Sequence, residues 1–248
     1  MKQIERAPFT GKSERIGTPN SCDSVVMRLE GSPHYPQGTI VKWNKREISS
    51  PDEARQIIMH LRKSIALYES ALGQEHIVPT ELVIGEKKDN DHRKIKVYTV
   101  QPYISGWNGR TLPEDLRTND RIVTQWRSLY SRLAMMFVVG RSVNERFEQE
   151  GKTPFPIEMT VGTSRKFAIT GRSSEAITSL PATQNILINR EGFGLVLCDF
   201  GAYTPWQDAM QPAYDEICNR TLQAVGSLQG AYPPPSGEYT GHSPDAYS

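Results

Sequence analysis

Asn185-Ile186-Leu187-Ile188-Asn189-Arg190-Glu191-Gly192-Phe193-Gly194-Leu195-Val196-Leu197-Cys198-Asp199-Phe200-Gly201 is the stretch on which the fold turns. Two short apolar runs flank Arg190-Glu191-Gly192-Phe193-Gly194, and such runs joined by a few residues containing Gly read as a β-hairpin. With Gly192 as its centre, Asn189 faces Leu195 and Asn185 faces Asp199. Directly opposed residues in an antiparallel pair have Cα atoms roughly 4.5–5.5 Å apart. An amide oxygen and a carboxylate that close can share one hard cation such as Mg2+. Gly201, two residues beyond the carboxylate, permits a sharp departure of the backbone.

Upstream of the hairpin the pattern is helical. From Asp120 to Gln149 apolar residues recur at Ile122, Trp126, Leu129, Leu133, Met136 and Phe137, the stripe of a long amphipathic helix. Trp126, Met135 and Met136 read as core. Between that helix and the hairpin, residues 151–180 hold short β-like pieces at Ile157 to Val161 and Phe167 to Thr170. Downstream, Pro212 starts a last helix that runs to about Leu228. Pro233-Pro234-Pro235 then mark a tail, 231–248, that can join neither a helix nor a central strand.

The front of the chain reads as strand, strand, helix, strand, strand. Val25 to Leu29 and Thr39 to Trp43 are β-rich runs. Ser50-Pro51-Asp52-Glu53 supplies an N-cap, a first-turn Pro and a capping-box Glu. Ala54, Ile57, Ile58, Leu61, Ile65, Tyr68 and Leu72 then form one apolar stripe that Gly73 ends. His60 falls off the stripe and reads as a helix-surface residue. Thr80 to Ile84 and Ile95 to Gln101 are strand-like, and the charged segment Gly85 to Lys94 between them reads as a solvated loop.

Composition bounds the function. The chain has 29 basic and 28 acidic residues, a balance that argues against a nucleic-acid partner, whose phosphates demand a basic surplus. Cys22, Cys198 and Cys218 are widely spaced, with no C-x-x-C, which disfavours a disulfide framework or a zinc site. Cys198 reads as a small buried hydrophobe. The longest apolar run, Leu133 to Val139, is far short of the ~20 residues that span a bilayer. With no signal-peptide core at the N-terminus, no membrane association and a cytoplasmic setting are expected.

The motifs together resemble the protein-kinase-like fold. Asn185 followed by Asp199-Phe200-Gly201 is similar to that family's catalytic-loop Asn and Asp-Phe-Gly element. Val41-Lys42 resembles its phosphate-holding strand lysine, and the capped helix from Pro51 its first helix. Val100-Gln101-Pro102-Tyr103 resembles the hinge that meets the adenine, and Ile16-Gly17 stands where the phosphate-covering loop would be. The resemblance covers about residues 12–228. It implies an α+β, two-lobed fold: an antiparallel-sheet N-lobe with one helix over 1–103, a mainly helical C-lobe over 104–230, and the tail over 231–248.

The same resemblance implies ATP and Mg2+ as cofactors. Gly17, Lys42, Gln101 and Tyr103 would bind the nucleotide, and Asn185 and Asp199 the metal. Lys42 would clamp phosphates, oriented by a helix carboxylate. Glu53 and Glu69 both flank the stripe; Glu53 is engaged by the capping box, which leaves Glu69 as the preferred partner. Two departures stand out. Leu180 occupies the place of the family's catalytic-loop Asp, with Glu175 a candidate substitute, and the covering loop keeps only one glycine. General-base help is worth on the order of 10²–10⁴-fold, while positioning and charge neutralisation carry most of phosphoryl transfer. Two functions remain open: an atypical kinase acting on a protein or small-molecule acceptor, or a pseudokinase that serves as a regulatory or scaffold binding module.

Overall fold

A computed structural model of the protein describes residues 5–6, 13–16, 24–32, 34–89, 92–157, 185–201 and 203–228. Gly17, Cys22, Glu175, Leu180, the β-like piece from Phe167 to Thr170, nearly all of that from Ile157 to Val161, and the tail lie outside the described residues.

The fold is α+β. Its larger sheet comprises β1 (Glu5–Arg6), β2 (Ser13–Arg15), β3 (Ser24–Leu29), β4 (Ile40–Asn44), β5 (Glu81–Asp89) and β6 (His92–Gln101), in the order β1-β5-β6-β4-β3-β2. All neighbours are antiparallel except β1, which lies parallel to β5. β5 and β6 are longer than the sequence suggests. The pairing runs out to Asp89 opposite His92, so most of the segment read as a charged loop is ladder. Charged side chains do not prevent this, because ladder bonds run between backbone groups.

Just beyond that segment, on β6, stands Lys96. It is buried at 5% exposure, and its ammonium donates to the carbonyls of Asn44 (3.3 Å), Lys45 (3.0 Å) and Arg46 (2.6 Å). It closes the turn after β4 from beneath.

α1 (Pro51–Leu72) follows β4. Its N-cap Ser50 accepts from the amide of Glu53, and Gly73 ends it at φ 95°, which a side chain would strain. The helix buries two faces rather than one. Ala54, Ile57, Ile58 and Leu61 pack with Val97 against the sheet. Leu67, Tyr68, Ala71 and Leu72 join the largest core with the later helices. His60 belongs inside and not on the surface as expected: it is 0% exposed, its ring 4.9 Å from that of Phe155.

After β6 the chain forms β7 (Gly106–Asn108), the short α2 (Glu114–Arg117) and the 30-residue α3 (Asp120–Gln149). β8 (Ile186–Asn189) and β9 (Leu195–Leu197) complete a three-stranded sheet, β7-β8-β9, and α4 (Gln211–Leu228) packs on α3 and α1. The core of this half holds Trp126, Leu133 and Met136 from α3 with Ile186, Ile188, Leu195 and Leu197 from the hairpin. Among the described residues no helix is long and apolar enough to cross a membrane.

Candidate functional site

The hairpin register differs from the expected one by a residue. Ile186 pairs with Leu197 and Ile188 with Leu195. Beyond them the amide of Asn189 donates to Gly194 O (3.0 Å), so the turn holds four residues, Arg190–Phe193, not five. The reason is local: Phe193 takes a left-handed φ of 57° after Gly192 at 102°, which returns the chain to the ladder one residue early. Asn185 therefore faces Cys198, whose amide donates to Asn185 O at 3.0 Å, and Asp199 stands one residue further on.

Asp199 nevertheless reaches the same place as Asn185. Both line a cavity of about 410 Å³ between the two sheets, together with Lys42, Gln101 and Tyr103. Ile16, Val26 and Ile40 form its wall on the larger sheet, and Trp107 and Leu187 its wall on the smaller one. Lys42 Nζ lies 2.6 Å from Asp199 Oδ1, with the side chains only 17% and 27% exposed. Burial works against the ammonium's charge, but the Asp199 carboxylate, with Tyr203 and Cys198 adding to it, outweighs burial, and the Lys42 pKa is raised above the ordinary lysine value.

Several bonds fix this acidic end. Gln101 is buried and donates from Nε2 to Thr80 Oγ1 (2.9 Å) and to Cys198 O (3.1 Å). Val78 N donates to Leu197 O at 3.0 Å, which ties the segment after α1 to the free edge of β9. Phe200 is buried against Tyr68 of α1, ring centroids 6.1 Å apart, and Gly201 at φ 111° turns the chain away. Burial pushes the Cys198 thiol up to about 12, with the Asp199 charge adding to it, and its Sγ donates to Asn185 O (3.4 Å). Tyr103 is half exposed at the rim, with the Arg28 guanidinium 4.5 Å above its ring.

Glu69 is not the partner of Lys42. The α1 side chains beside the lysine are Leu61 and Ile65, which line a small space behind it. Glu69 lies a turn beyond Ile65 and outside that space. Glu53 is held elsewhere: it accepts from Ser49 N (2.7 Å) and Ser49 Oγ (2.5 Å) and pairs with Arg46 (2.9 Å). The group that does share the space is Tyr203, whose hydroxyl lies 2.8 Å from Thr99 Oγ1. The reading of the sequence missed it. Its signal was an aromatic two residues beyond Gly201, where an acid was sought on the helix instead.

Chemically the cavity has an apolar half that suits a flat ring and a polar end with one cation and two oxygen donors. Asp199 is the only carboxylate on its described wall. Compared with known proteins, the chain matches no protein-family model and no curated protein sequence.

Proposed function

We propose that the protein is a two-lobed, kinase-like Mg-ATP-binding protein, with its nucleotide in the cavity between the sheets, and an atypical phosphotransferase. The observation that carries this is the Lys42–Asp199 pair at 2.6 Å with Asn185 on the same wall. The order of elements agrees with it: a helix inserted between the strands β4 and β5, a connection from β6 through residues 102–105, and a hairpin that ends in the acidic residue. A volume of about 410 Å³ lies within the ~300–1,000 Å³ usual for small-molecule sites.

The residues fit the groups. Mg2+ is ordinarily held by one or two carboxylates with substrate phosphates and water completing its shell, and Asp199 with the Asn185 amide oxygen is such a set. The metal, when bound, supplies charge neutralisation for the phosphates. Lys42 would hold the phosphates, Val26, Ile40 and Leu187 would pack against the ring, and Tyr103 would cover it from the rim. Gln101 acts through its anchor on Cys198 O by fixing where Asp199 starts.

A second reading, the pseudokinase, has its own support. No Asp occurs between Asp120 and Asp199, and the one described acid of the wall is already paired with Lys42. One set of measurements separates the readings. Mg-ATP should raise the melting temperature of the wild type and not of Asp199→Ala. Release or transfer of radiolabelled γ-phosphate, lost in Asp199→Ala, supports the kinase. Binding with no phosphate leaving ATP supports the pseudokinase. No thermal shift with Mg2+ and any nucleoside triphosphate overturns both.

A further inference from the structure

The cavity wall changes character between its inner end and its mouth. On the larger sheet Val26 pairs with Lys42 and Arg28 with Ile40, and Ile40 pairs on its other side with Gln101. Val26, Ile40 and Lys42 all line the cavity. Residues two apart on a strand share a face, so Arg28 stands on the cavity side of β3, two residues beyond Val26. There its guanidinium carbon lies 4.5 Å from the centre of the half-exposed Tyr103 ring. On the smaller sheet the turn after β8 brings Arg190 over the ring of Trp107, at 4.9 Å.

Both rings line the same cavity. The two arginines therefore sit on one short stretch of chain. Arg190 N donates to Ser105 O (3.3 Å), and Ser105 is two residues from Tyr103 and two from Trp107, about 7 Å of extended chain each way. Phe193 of the same turn stacks on Trp107 at 6.5 Å and 22°, which fixes the turn to that stretch a second time.

A guanidinium laid on a ring uses its faces and keeps its in-plane N–H groups for an oxyanion. Among the described residues neither Arg28 nor Arg190 enters an ion pair or a side-chain hydrogen bond, although Glu30 and Glu191 lie within two residues of them in sequence. Asp199 is the only carboxylate on the described wall, and it is paired with Lys42. Two uncompensated positive charges thus stand at the mouth, where they attract anions toward the cleft. The arginine fork matches the oxygens of a phosphate, and two such charges match a phosphate dianion.

We propose that the mouth of the cavity is a phosphate-binding subsite, formed by Arg28 on Tyr103 and Arg190 on Trp107, so that the cavity takes one phosphate group at its outer end as well as those at Lys42. This rests on the Mg-nucleotide reading only for what lies between the two ends. The outer phosphate has two sources: a second phosphate on the nucleotide, away from its triphosphate chain, or a separate phosphate-bearing molecule that enters beside it.

The direct probe is inorganic phosphate at constant ionic strength, read by NMR at the arginine Nε–Hε groups, with Arg28→Gln and Arg190→Gln giving the assignments. The Arg28 and Arg190 signals should move together along one saturable curve, while that of the exposed Arg62 on α1 shifts only in proportion to phosphate. Each substitution should weaken phosphate binding at the remaining arginine by roughly 5- to 10-fold, the worth of one charged hydrogen bond at a wet site. Signals that follow Arg62 overturn the proposal, and so does saturation of one arginine that the loss of the other leaves unaltered.

A second arm assigns the source. Adenosine 3′,5′-bisphosphate binding roughly 10-fold more tightly than AMP, with the advantage lost in both variants, places the outer phosphate on the nucleotide. Equal affinities, with inorganic phosphate still saturating the arginines beside bound Mg-ATP, place it on a second molecule. Phosphate displaced by Mg-ATP, with no advantage for the bisphosphate, would give the mouth to the triphosphate chain itself and overturn the subsite. If Mg-ATP produces no thermal shift, the nucleotide reading fails, and the phosphate titration still decides for or against the subsite.

Discussion

His60 is wholly buried on α1 beside Phe155, and neither ring nitrogen has a hydrogen-bond partner among the described residues. Burial lowers its pKa from 6.5 to about 4, so the folded protein keeps it neutral where the unfolded chain protonates it. The sign follows. Above pH 6.5 both states are neutral and stability is unaffected; as pH falls from 6.5 to about 4 the unfolded state binds the extra proton and stability is lost. The loss totals roughly 3 kcal/mol. Urea unfolding at pH 7 and pH 4.5 should show this loss in the wild type. His60→Leu should remove that part of the pH dependence and be at least as stable as wild type at pH 7. Lys96 is the opposite case: the cost of burying it is offset by its three hydrogen bonds. Lys96→Met strands three carbonyls at the turn after β4 and should lower stability by about 2–3 kcal/mol, read from the denaturation midpoint.

The elements show where sequence patterns carry far and where they stop. α1 and α3 were legible to the residue, because a capping box with a C-terminal Gly, and a sustained apolar stripe, are local signals. The hairpin was legible as an element but not in register, since Phe193 in a left-handed conformation is a choice no β-propensity announces. Its ladder, and not the residue count between its runs, decides that Asn185 faces Cys198. The second buried face of α1 was hidden because His60 and Ser64 look polar, and only the packing of later helices covers them. Asn185 and Asp199 could be found as a pair of oxygens near a lysine. Glu69 could not be rejected, because helical spacing alone does not say which face meets the strand. Gly106 illustrates a constraint that sequence leaves silent. A Cβ there would collide with the carbonyl of Ile188 on β8. Gly106→Ala should part β7 from β8, lower stability by roughly 1–3 kcal/mol, and weaken Mg-ATP binding by displacing Trp107 from the cavity wall. Parallel urea and nucleotide titrations would register both losses, and binding unchanged at reduced stability would disconnect β7 from the site.

At the scale of the molecule, the cavity is assembled from parts that do not otherwise share a core. Lys42 comes from the larger sheet, Asn185 and Asp199 from the smaller one, and α1 packs against both halves. The Lys42–Asp199 bond is therefore a strut across the cleft as well as a piece of the site. Removing one partner leaves a charge in a recess with little water, whereas removing both leaves none, so the two substitutions should not add. Lys42→Met and Asp199→Asn are each expected to lower stability by about 1–3 kcal/mol, and the double variant by less than their total. Ligand linkage supplies the complement. At a concentration 100-fold above its dissociation constant, a ligand of the folded state adds about 2.7 kcal/mol, which for a chain of this size is a rise of roughly 5–10 °C. On the proposed Mg-ATP reading, calorimetry with Mg2+ alone, ATP alone and both should give the full rise only with both, because Asp199 would leave Lys42 for the metal only when phosphates take its place. In Asp199→Asn the rise with Mg-ATP should shrink to that with ATP alone. A wild type stabilised fully by ATP without Mg2+ would mean that Asp199 never leaves the lysine, and that the pair is a strut and nothing more.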